Sequence, residues 1–368
     1  MELFTQKISW EYAKKWLIHH EKAVSFIVFV SGFIFDNFTL WRIDSILDMS
    51  ILFGWLLVGS FAIFSMNISR HGILKWKIFR KGDVWLHFLI SFALGALFSG
   101  FTIFYMRSAV LSTSWPFLLI VVGLFLGNEF FKEKYLHLNF QIVILFTVVF
   151  FQMILFVPIF VGKMGDWVFL LSGAVSLLMI GAFVHFLYFF LPKEAQVNQK
   201  KLILSIGSVF LAINFFYFTN LIPPVPLALK DGGVFHYMER TTGGKYFFQD
   251  EQRHWYDAFD FYENVHVVSG ESLFFYSAVF APTRLDTDIM HNWQYYDESS
   301  GKWVVSANIR FPIYGGSNEG YRGFSEKSNI HPGKWRVDVT DSRGRVLGRT
   351  KFEIINVSQS VPLISVVK

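Results

Sequence analysis

Apolar residues dominate the first 222 positions in long runs, whereas the remaining positions alternate apolar and polar residues over short stretches. A helix needs about 20 apolar residues to cross the ~30 Å hydrocarbon layer of a bilayer. The runs therefore predict a polytopic α-helical membrane domain with about seven spans. We place these spans at residues 23–40, 49–68, 84–106, 115–130, 139–161, 167–191 and 202–222.

The period of the pattern changes after Pro226. Residues 302–311 and 335–340 alternate apolar with mostly polar side chains, which is typical of strands with one buried face. The buried face of the first stretch is predicted to consist of Trp303, Val305, Ala307, Ile309 and Phe311. Residues 341–344, Asp-Ser-Arg-Gly, supply turn chemistry before a returning strand at 346–355. Short strands joined by regular turns predict an all-β antiparallel sandwich domain.

These patterns divide the chain into three parts. Residues 1–22 are predicted to form a cytoplasmic amphipathic tail, because Trp10 and Trp16 are interleaved with lysines. Residues 23–222 are predicted to form a seven-span transmembrane domain. Residues 223–368 are predicted to form an extracytoplasmic β-sandwich domain.

Composition and charge agree with this division. Apolar residues make up 53% of the 368 residues, and the mean hydropathy is +0.41. Residues 1–222 carry 17 Lys/Arg and 11 Asp/Glu, whereas residues 223–368 carry 16 and 17. The sequence pI of about 9.1 therefore comes from the loops that flank the spans. Such a distribution does not indicate a nucleic-acid-binding protein.

Basic residues divide unevenly between the two sides that the spans define. One side holds 14 Lys/Arg of residues 1–222, and the other holds Arg42, Arg107 and Lys163. Because Lys and Arg accumulate in cytoplasmic loops, the N-terminus is predicted to be cytoplasmic. An odd number of spans then makes the C-terminal domain periplasmic, or otherwise extracytoplasmic. We expect a multi-pass protein of the bacterial inner (cytoplasmic) membrane, with the lipid bilayer as its partner.

Several kinds of chemistry are excluded or disfavoured by residue content. The chain has no cysteine, which excludes disulfides and thiolate ligands. Its histidines show no spacing typical of a metal site, so we expect no metal and no cofactor.

Two groups of segments resemble a known family. They are Gly32–Asp36 with Leu40–Asp44, Ser99–Tyr105 and Asn128–Phe131, and Gly315–Gly323 with Gly333–Val339 and Gly344–Gly348. Together they resemble an uncharacterised bacterial inner-membrane protein family, which joins a polytopic N-terminal region to a C-terminal β domain of unknown function. The resemblance implies the same architecture over most of this chain. The family supplies no established activity, so the resemblance assigns no role to any residue.

Charged residues cluster at the predicted outer ends of the spans. We call four of them the charged rim: Asp36, Arg42, Asp44 and Arg107. An ionisable group at a membrane boundary costs free energy unless it is paired or hydrated. The rim is therefore a set of packing ion pairs, or a site that binds a lipid-linked phosphate or supplies acid and base. The pattern favours ion pairing, and the short loop 41–48 predicts that Arg42 pairs with Asp36 or Asp44.

A candidate binding surface is predicted in the β domain. His291 and Trp293 suit stacking against a sugar if they are exposed, although aromatic residues of a sandwich are usually core. Tyr321 and Arg322 belong to a glycine-rich segment, 315–323, that we expect to be an inter-strand loop. Its backbone N–H groups could cradle an anion, but it lacks the ending of a phosphate-binding loop.

The sequence discloses no reaction, and whether the chain is an enzyme stays open. The pattern favours a non-enzymatic envelope protein whose extracytoplasmic β-sandwich binds a protein or glycan partner. The alternative is an enzyme or transporter that acts on a lipid-linked or anionic substrate at the outer face of the membrane domain.

Overall fold

In the part of the chain that the structure describes, a helical region is followed by a β-rich region. The computed structural model describes residues 31–40, 42–71, 83–128, 134–193, 196–241, 245–252, 261–282, 285–314 and 320–367. After a helical segment at 31–39, the helices are α1 Ile46–Arg70, α2 Asp83–Arg107, α3 Leu111–Gly127, α4 Leu138–Val161, α5 Asp166–Phe190 and α6 Gln199–Phe218.

Each of the six helices coincides with one of the six later predicted spans, and this prediction of helical segments is confirmed. Among the described residues, five helices are long and apolar enough to cross a membrane. Helix α3 is shorter, with 17 residues. The predicted tail 1–22 and residues 23–30 of the first predicted span lie outside the described residues, whereas residues 31–39 of that span are helical.

Helix α6 ends at Phe218, four residues before the predicted end at residue 222. Asn220 adopts a left-handed conformation, with φ of 58°, and Pro223 follows shortly after. A left-handed residue closes a helix, and proline lacks the N–H that would continue it. The predicted end of this segment was therefore wrong.

Buried polar groups join four helices of the helical region. Nδ2 of Asn67, in α1, donates to Oε1 of Gln141, in α4, over 2.7 Å. Nδ2 of Asn128, just after α3, donates to the backbone carbonyl of Ser91, in α2, over 2.9 Å. Tyr135 donates its hydroxyl to Oδ1 of the same asparagine. These bonds satisfy buried amides that would otherwise destabilise an apolar bundle.

The strands form three sheets in the C-terminal region. They are β1 Ala228–Phe235, β2 Tyr237–Arg240, β3 Tyr246–Glu251, β4 Glu263–Val268, β5 Leu273–Phe280, β6 Asp286–Asp297, β7 Lys302–Tyr314, β8 Tyr321–Lys327, β9 Gly333–Asp341, β10 Val346–Val357 and β11 Leu363–Val367. Their orders are β1-β5-β8, β4-β10-β9-β6-β7 and β11-β3-β2. The predicted strands 302–311, 335–340 and 346–355 are confirmed.

One pair of strands departs from the antiparallel expectation. Strand β4 runs parallel to β10, with Val265 opposite Ile354. Strands distant in the chain are not constrained by a hairpin and can pair in either direction. The region is therefore dominated by antiparallel pairs without being purely antiparallel.

The buried face predicted for β7 is wrong at its first residues. The register passes from Trp293–Ala307 to Gln294–Val305, so Ser306 is an extra residue opposite β6. Such a bulge reverses the direction in which the preceding side chains point. Val305 is consequently 57% exposed, whereas Ile313 is fully buried.

One hydrophobic core is shared by the first two sheets. It contains Phe275 of β5, Trp293 of β6, Trp335 of β9 and Phe352 of β10, all fully buried. Gly348 of β10 permits close approach, because a Cβ atom there would lie 1.9 Å from Cδ2 of Leu229 in β1. The two sheets are thus held together by apolar side chains and one required glycine.

Candidate functional site

Arg42 and Asp44 form the central ion pair of the charged rim. Nε of Arg42 lies 3.0 Å from Oδ1 of Asp44, and Nη2 lies 2.8 Å from Oδ2. The Asp44 side chain is only 5% exposed, whereas that of Arg42 is 35% exposed. Hydrogen bonding to Asp44, partly offset by burial, raises the pKa of the Arg42 guanidinium. The predicted pairing of Arg42 with one of these carboxylates is confirmed, and Asp44 is the partner.

The turn that positions this pair is built by the start of α1. Ser45 is the N-cap of α1, and its Oγ accepts from the backbone N–H of Asp48 over 3.4 Å. The buried Asp48 carboxylate accepts from the backbone N–H of Arg42 over 2.9 Å. A carboxylate in the first turn of a helix is stabilised by the helix dipole. Local capping therefore fixes the chain between Arg42 and Asp48.

Asp36 and Arg107 join neighbouring elements and do not form the central pair. Oγ of Ser99, in α2, donates to Oδ2 of Asp36 over 2.6 Å. Nη1 of Arg107 donates to the carbonyl of Leu40 over 2.6 Å, and Nη2 donates to the carbonyl of Asn37 over 3.1 Å. Arg107 therefore caps the end of the helical segment 31–39. The alternative pairing of Arg42 with Asp36 is not formed, because Asp36 bonds to α2.

The β-rich region reaches the rim through Phe280, the last residue of β5. Its ring is 6% exposed and belongs to the same hydrophobic cluster as the helices. Cζ of Arg42 lies 5.5 Å from the ring centroid, and Nζ of Lys230 lies 5.3 Å from it. Cations near an aromatic face are attracted by its quadrupole. The ring of Phe280 is therefore close both to Arg42, a cation of the helical region, and to Lys230, a cation of the β-rich region.

A cavity of about 220 Å³ lies where these groups meet. Its cationic lining consists of Arg42, Arg107 and Lys230, and its remaining lining comes from Ile43, Phe104, Ser108, Pro226, Ala228, Leu229 and Phe280. Among the described residues that line it, none carries a carboxylate or an imidazole. The cavity therefore presents positive charge beside apolar surface, and both regions of the chain contribute to it.

A second contact between the regions was not predicted. Arg343, in the turn between β9 and β10, forms an ion pair with Asp166 at the start of α5. Its Cζ lies 4.5 Å from the ring centroid of Tyr217 in α6. The Tyr217 hydroxyl donates to Asp166 over 3.2 Å. The turn at 341–344 was recognisable from the sequence, but nothing local indicated its partner.

The candidate binding surface of the β domain is corrected at two positions. His291 and Trp293 are fully buried, so they cannot meet a sugar. Nε2 of His291 lies 2.7 Å from Oγ of Ser277, and its Nδ1 lies 2.9 Å from Oγ of Ser325. Burial lowers the pKa of His291 to about 3, which makes it a neutral core residue. Both residues are buried because alternate residues of a strand share one face, and residues 291 and 293 lie on the face of β6 that points into the core.

Tyr321 and Arg322 do not lie in a loop. Both are half-buried and belong to β8, where Arg322 is opposite Ala278 of β5. Tyr321 packs against the core shared by the two sheets. Residues 315–319 of the predicted glycine-rich loop lie outside the described residues. The expectation of a loop is therefore wrong from Tyr321 onward, because the β5 edge pairs with this segment.

Glu251 forms a polar cluster that the sequence did not indicate. Its carboxylate lies 3.0 Å from Nε2 of His236 and 2.8 Å from Nδ1 of His266. Burial alone would raise the pKa of Glu251, but these bonds and the N–H of His266 lower it to about 2. The cluster joins β3 to β4. Within the described ranges, no three His, Asp or Glu side chains form a group able to hold a metal.

Comparisons with known proteins match part of the chain to a family and find distant likenesses among solved structures, three of which follow. An immunoglobulin-like protein from Pseudomonas aeruginosa is 11% identical, with a TM-score of 0.21, over 36% of this chain and 98% of its own. A β-glucosidase from Listeria innocua in complex with gluconolactone is 13% identical, with a TM-score of 0.20, over 34% and 16%. A DNA-bound Pseudomonas fluorescens alkylpurine DNA glycosylase is 10% identical, with a TM-score of 0.22, over 85% and 99%.

Likenesses with such TM-scores carry no argument about fold or function. No curated protein matches the chain. Residues 286–354, from β6 into β10, match the family described as a protein of unknown function (DUF2914).

Proposed function

We propose that this chain is an inner-membrane protein that binds an anionic, headgroup-sized ligand in the cavity between the charged rim and the β-rich region. In this proposal seven spans cross the membrane, and the N-terminus is cytoplasmic. Residues 223–368 then form an extracytoplasmic β-sandwich that roofs the rim. The observation that carries the proposal is the cavity, with three cations among its lining residues.

The charges of the cavity support an anion. Asp44 and Asp48 hold Arg42 through its side chain and backbone, but neither belongs to the lining. A ligand in the cavity therefore meets the guanidinium groups and the Lys230 ammonium, which donate strong hydrogen bonds to phosphate or carboxylate oxygens.

The size and composition of the cavity support a small amphiphilic group. A volume of about 220 Å³ is below the ~300–1,000 Å³ that is usual for drug-sized ligands. Ile43 and Phe104 lie on the helical side, beside the cations. A lipid phosphate combines this charge with an adjoining apolar part.

Binding is favoured over catalysis at this site. The described lining offers no carboxylate, imidazole or thiol, and these groups serve most often as acids, bases and nucleophiles. Binding of a glycan at His291 and Trp293 is not proposed, because both are buried.

Lys230 allows a direct test, because it is exposed on β1 and touches the cavity. We expect the purified full chain to bind dihexanoyl phosphatidic acid in calorimetry, and Lys230→Gln to bind it about tenfold more weakly. A tenfold change corresponds to ~1.4 kcal/mol, close to the value of one charge-assisted hydrogen bond. The matched control is Lys302→Gln, an exposed lysine at the start of β7.

The ligands used in this test separate the sources of the anion. Dihexanoyl phosphatidylcholine should bind much more weakly because it is zwitterionic, and inorganic phosphate should compete only at higher concentration. Equal affinity of the wild type and Lys230→Gln for the phosphatidic acid, or equal affinity for the two lipids, contradicts the proposal.

A further inference from the structure

The outward face of β9 and β10 places like charges opposite each other. Lys351 of β10 pairs in register with Arg336 of β9, and Arg349 pairs with Asp338 one step along the strands. Residues directly opposite in an antiparallel pair have Cβ atoms about 4.5–5.5 Å apart, and like charges there are destabilising. Lys351 and Arg336 therefore repel each other.

Asp338, a carboxylate on this face, is already paired, and Glu353 of β10 lies on the same face in register with Lys334 of β9. Nε and Nη2 of Arg349 lie 2.6 and 2.7 Å from the two oxygens of Asp338, in a two-pronged ion pair. Both side chains are largely buried, at 15% and 5% exposure. Asp338 thus forms its ion pair with Arg349, and among the described residues it attracts Arg336 and Lys351 only from a longer distance.

The contacts of Arg336 and Lys351 are with neutral groups. Nε and Nη2 of Arg336 donate to Oε1 of Gln294 over 3.0 and 2.7 Å. Its Cζ lies 4.4 Å from the ring centroid of Trp303, and Nζ of Lys351 lies 3.9 Å from that of Phe261. Within the described part of the chain, neither cation has an ion pair with a carboxylate. Burial, followed by repulsion from Arg349 and Arg336, lowers the pKa of Lys351.

Aromatic rings lie beside the two cations on this face. The bulge at Ser306 turns Trp303 outward, beneath Arg336. Phe261, on the opposite side of the pair, is 75% exposed. A cation pair between aromatic rings fits a sugar ring that carries an acidic group, because C–H groups pack on the rings while the acidic oxygens meet the cations.

The position of the face on the molecule favours a polymer over a lipid headgroup. Arg349 lies 3.3 Å from Oγ of Ser112 in the first turn of α3, so this level of the sheet adjoins the helical region. Arg336 and Lys351 lie two residues farther along their strands, roughly 7 Å away from that level. The face continues away from the helices, where an extended ligand can follow it.

We infer that the outward face formed by Arg336, Lys351, Trp303 and Phe261 is a docking surface for an anionic glycan. An acidic group of the glycan takes the place between Arg336 and Lys351 and removes their repulsion. This surface shares no residue with the cavity proposed above and does not depend on it.

The test uses the full chain in detergent with polygalacturonate as the anionic glycan and dextran as the neutral one. We expect binding of polygalacturonate that weakens as salt rises, and little binding of dextran. Arg336→Gln combined with Lys351→Gln should weaken polygalacturonate binding at least tenfold. The matched control is Arg310→Gln combined with Lys302→Gln, which removes two exposed cations from β7 and should change binding less than twofold.

Two further measurements keep the inference open to contradiction. The Arg336/Lys351 double variant should melt at the same or a higher temperature than the wild type, because it removes repulsion. The full chain should bind poly-glutamate and anionic vesicles more weakly than polygalacturonate. Equal or tighter binding of poly-glutamate would assign the face to an acidic protein segment, and binding only to anionic vesicles would assign it to lipid. Either result, or an unchanged affinity in the double variant, overturns the inference.

Discussion

Single residues at the rim show which part of the site could be predicted. The short loop that carries Arg42 limits its reach, so a carboxylate partner was predictable from spacing alone. The choice of Asp44 depends on the turn made by Ser45 and Asp48 at the start of α1. The bond of Asp36 to Ser99 joins residues 63 positions apart, and no local pattern indicates it. The sequence therefore predicts that these charged residues form polar contacts, but it does not predict which residues of other elements they contact.

The Arg42–Asp44 pair gives a stability prediction. Arg42→Gln should lower the free energy of unfolding by about 2 kcal/mol, because it leaves a buried carboxylate without its charged partner. The loss should stay below the ~3–5 kcal/mol of a fully buried pair, since Arg42 is 35% exposed. Combining it with Asp44→Asn should recover much of the loss in a thermal-shift measurement on the purified chain. Strictly additive losses would mean that the two side chains do not interact.

His291 gives a prediction about pH. Its pKa of about 3 in the folded chain lies below the ~6.5 of an unfolded histidine, so the unfolded state binds the proton first. The stability that it contributes is present above pH 6.5 and is lost as the pH falls toward 3. Between pH 6.5 and 5 the slope should approach ~1.4 kcal/mol per pH unit.

This window lies above the titration of Glu251, whose pKa is about 2 in the folded chain. The difference in unfolding free energy between the wild type and His291→Asn, measured at several pH values in this window, isolates the histidine. A difference that does not vary with pH would place His291 in contact with solvent.

At the scale of elements, the alternation of apolar and polar residues predicted the strands correctly but gave the wrong buried face for the first residues of β7. The faces of β9 follow the sequence pattern, with Trp335 and Val337 fully buried. The pattern of β7 is the same in the sequence, yet the extra residue Ser306 reverses its first side chains. A bulge is set by pairing with another strand, so the sequence of β7 alone does not reveal it.

Gly348 tests how closely the first two sheets approach. Gly348→Ala would place a Cβ atom 1.9 Å from Cδ2 of Leu229 and about 3 Å from other atoms of that side chain. We expect a loss of about 1–3 kcal/mol in unfolding free energy, which is typical of an overpacked core. Gly232→Ala, whose nearest contact would be 3.4 Å from its Cβ, is the control. Equal effects of the two substitutions would show that the sheets are farther apart than described.

At the scale of the whole molecule, contacts between described residues join the helical and β-rich regions. They include the cavity at Arg42 and Phe280, the ion pair of Asp166 with Arg343, and the contact of Ser112 with Arg349. The division near residue 222 was predictable, because hydrophobic runs and alternation differ in period. The meeting of the regions was not, since the last contact joins residues 237 positions apart. Long-range contacts of this kind bring the helical and β-rich regions together at the candidate site.

The proposed membrane orientation underlies the account of the cavity, and fusions after Lys368 test it most directly. Because basic residues of the first 222 positions divide 14 to 3, we predict an extracytoplasmic C-terminus. Alkaline phosphatase, which is active outside the cytoplasm, should be active at this position, and green fluorescent protein should be dark. A fluorescent fusion with inactive phosphatase would place the β-rich region in the cytoplasm and contradict the account.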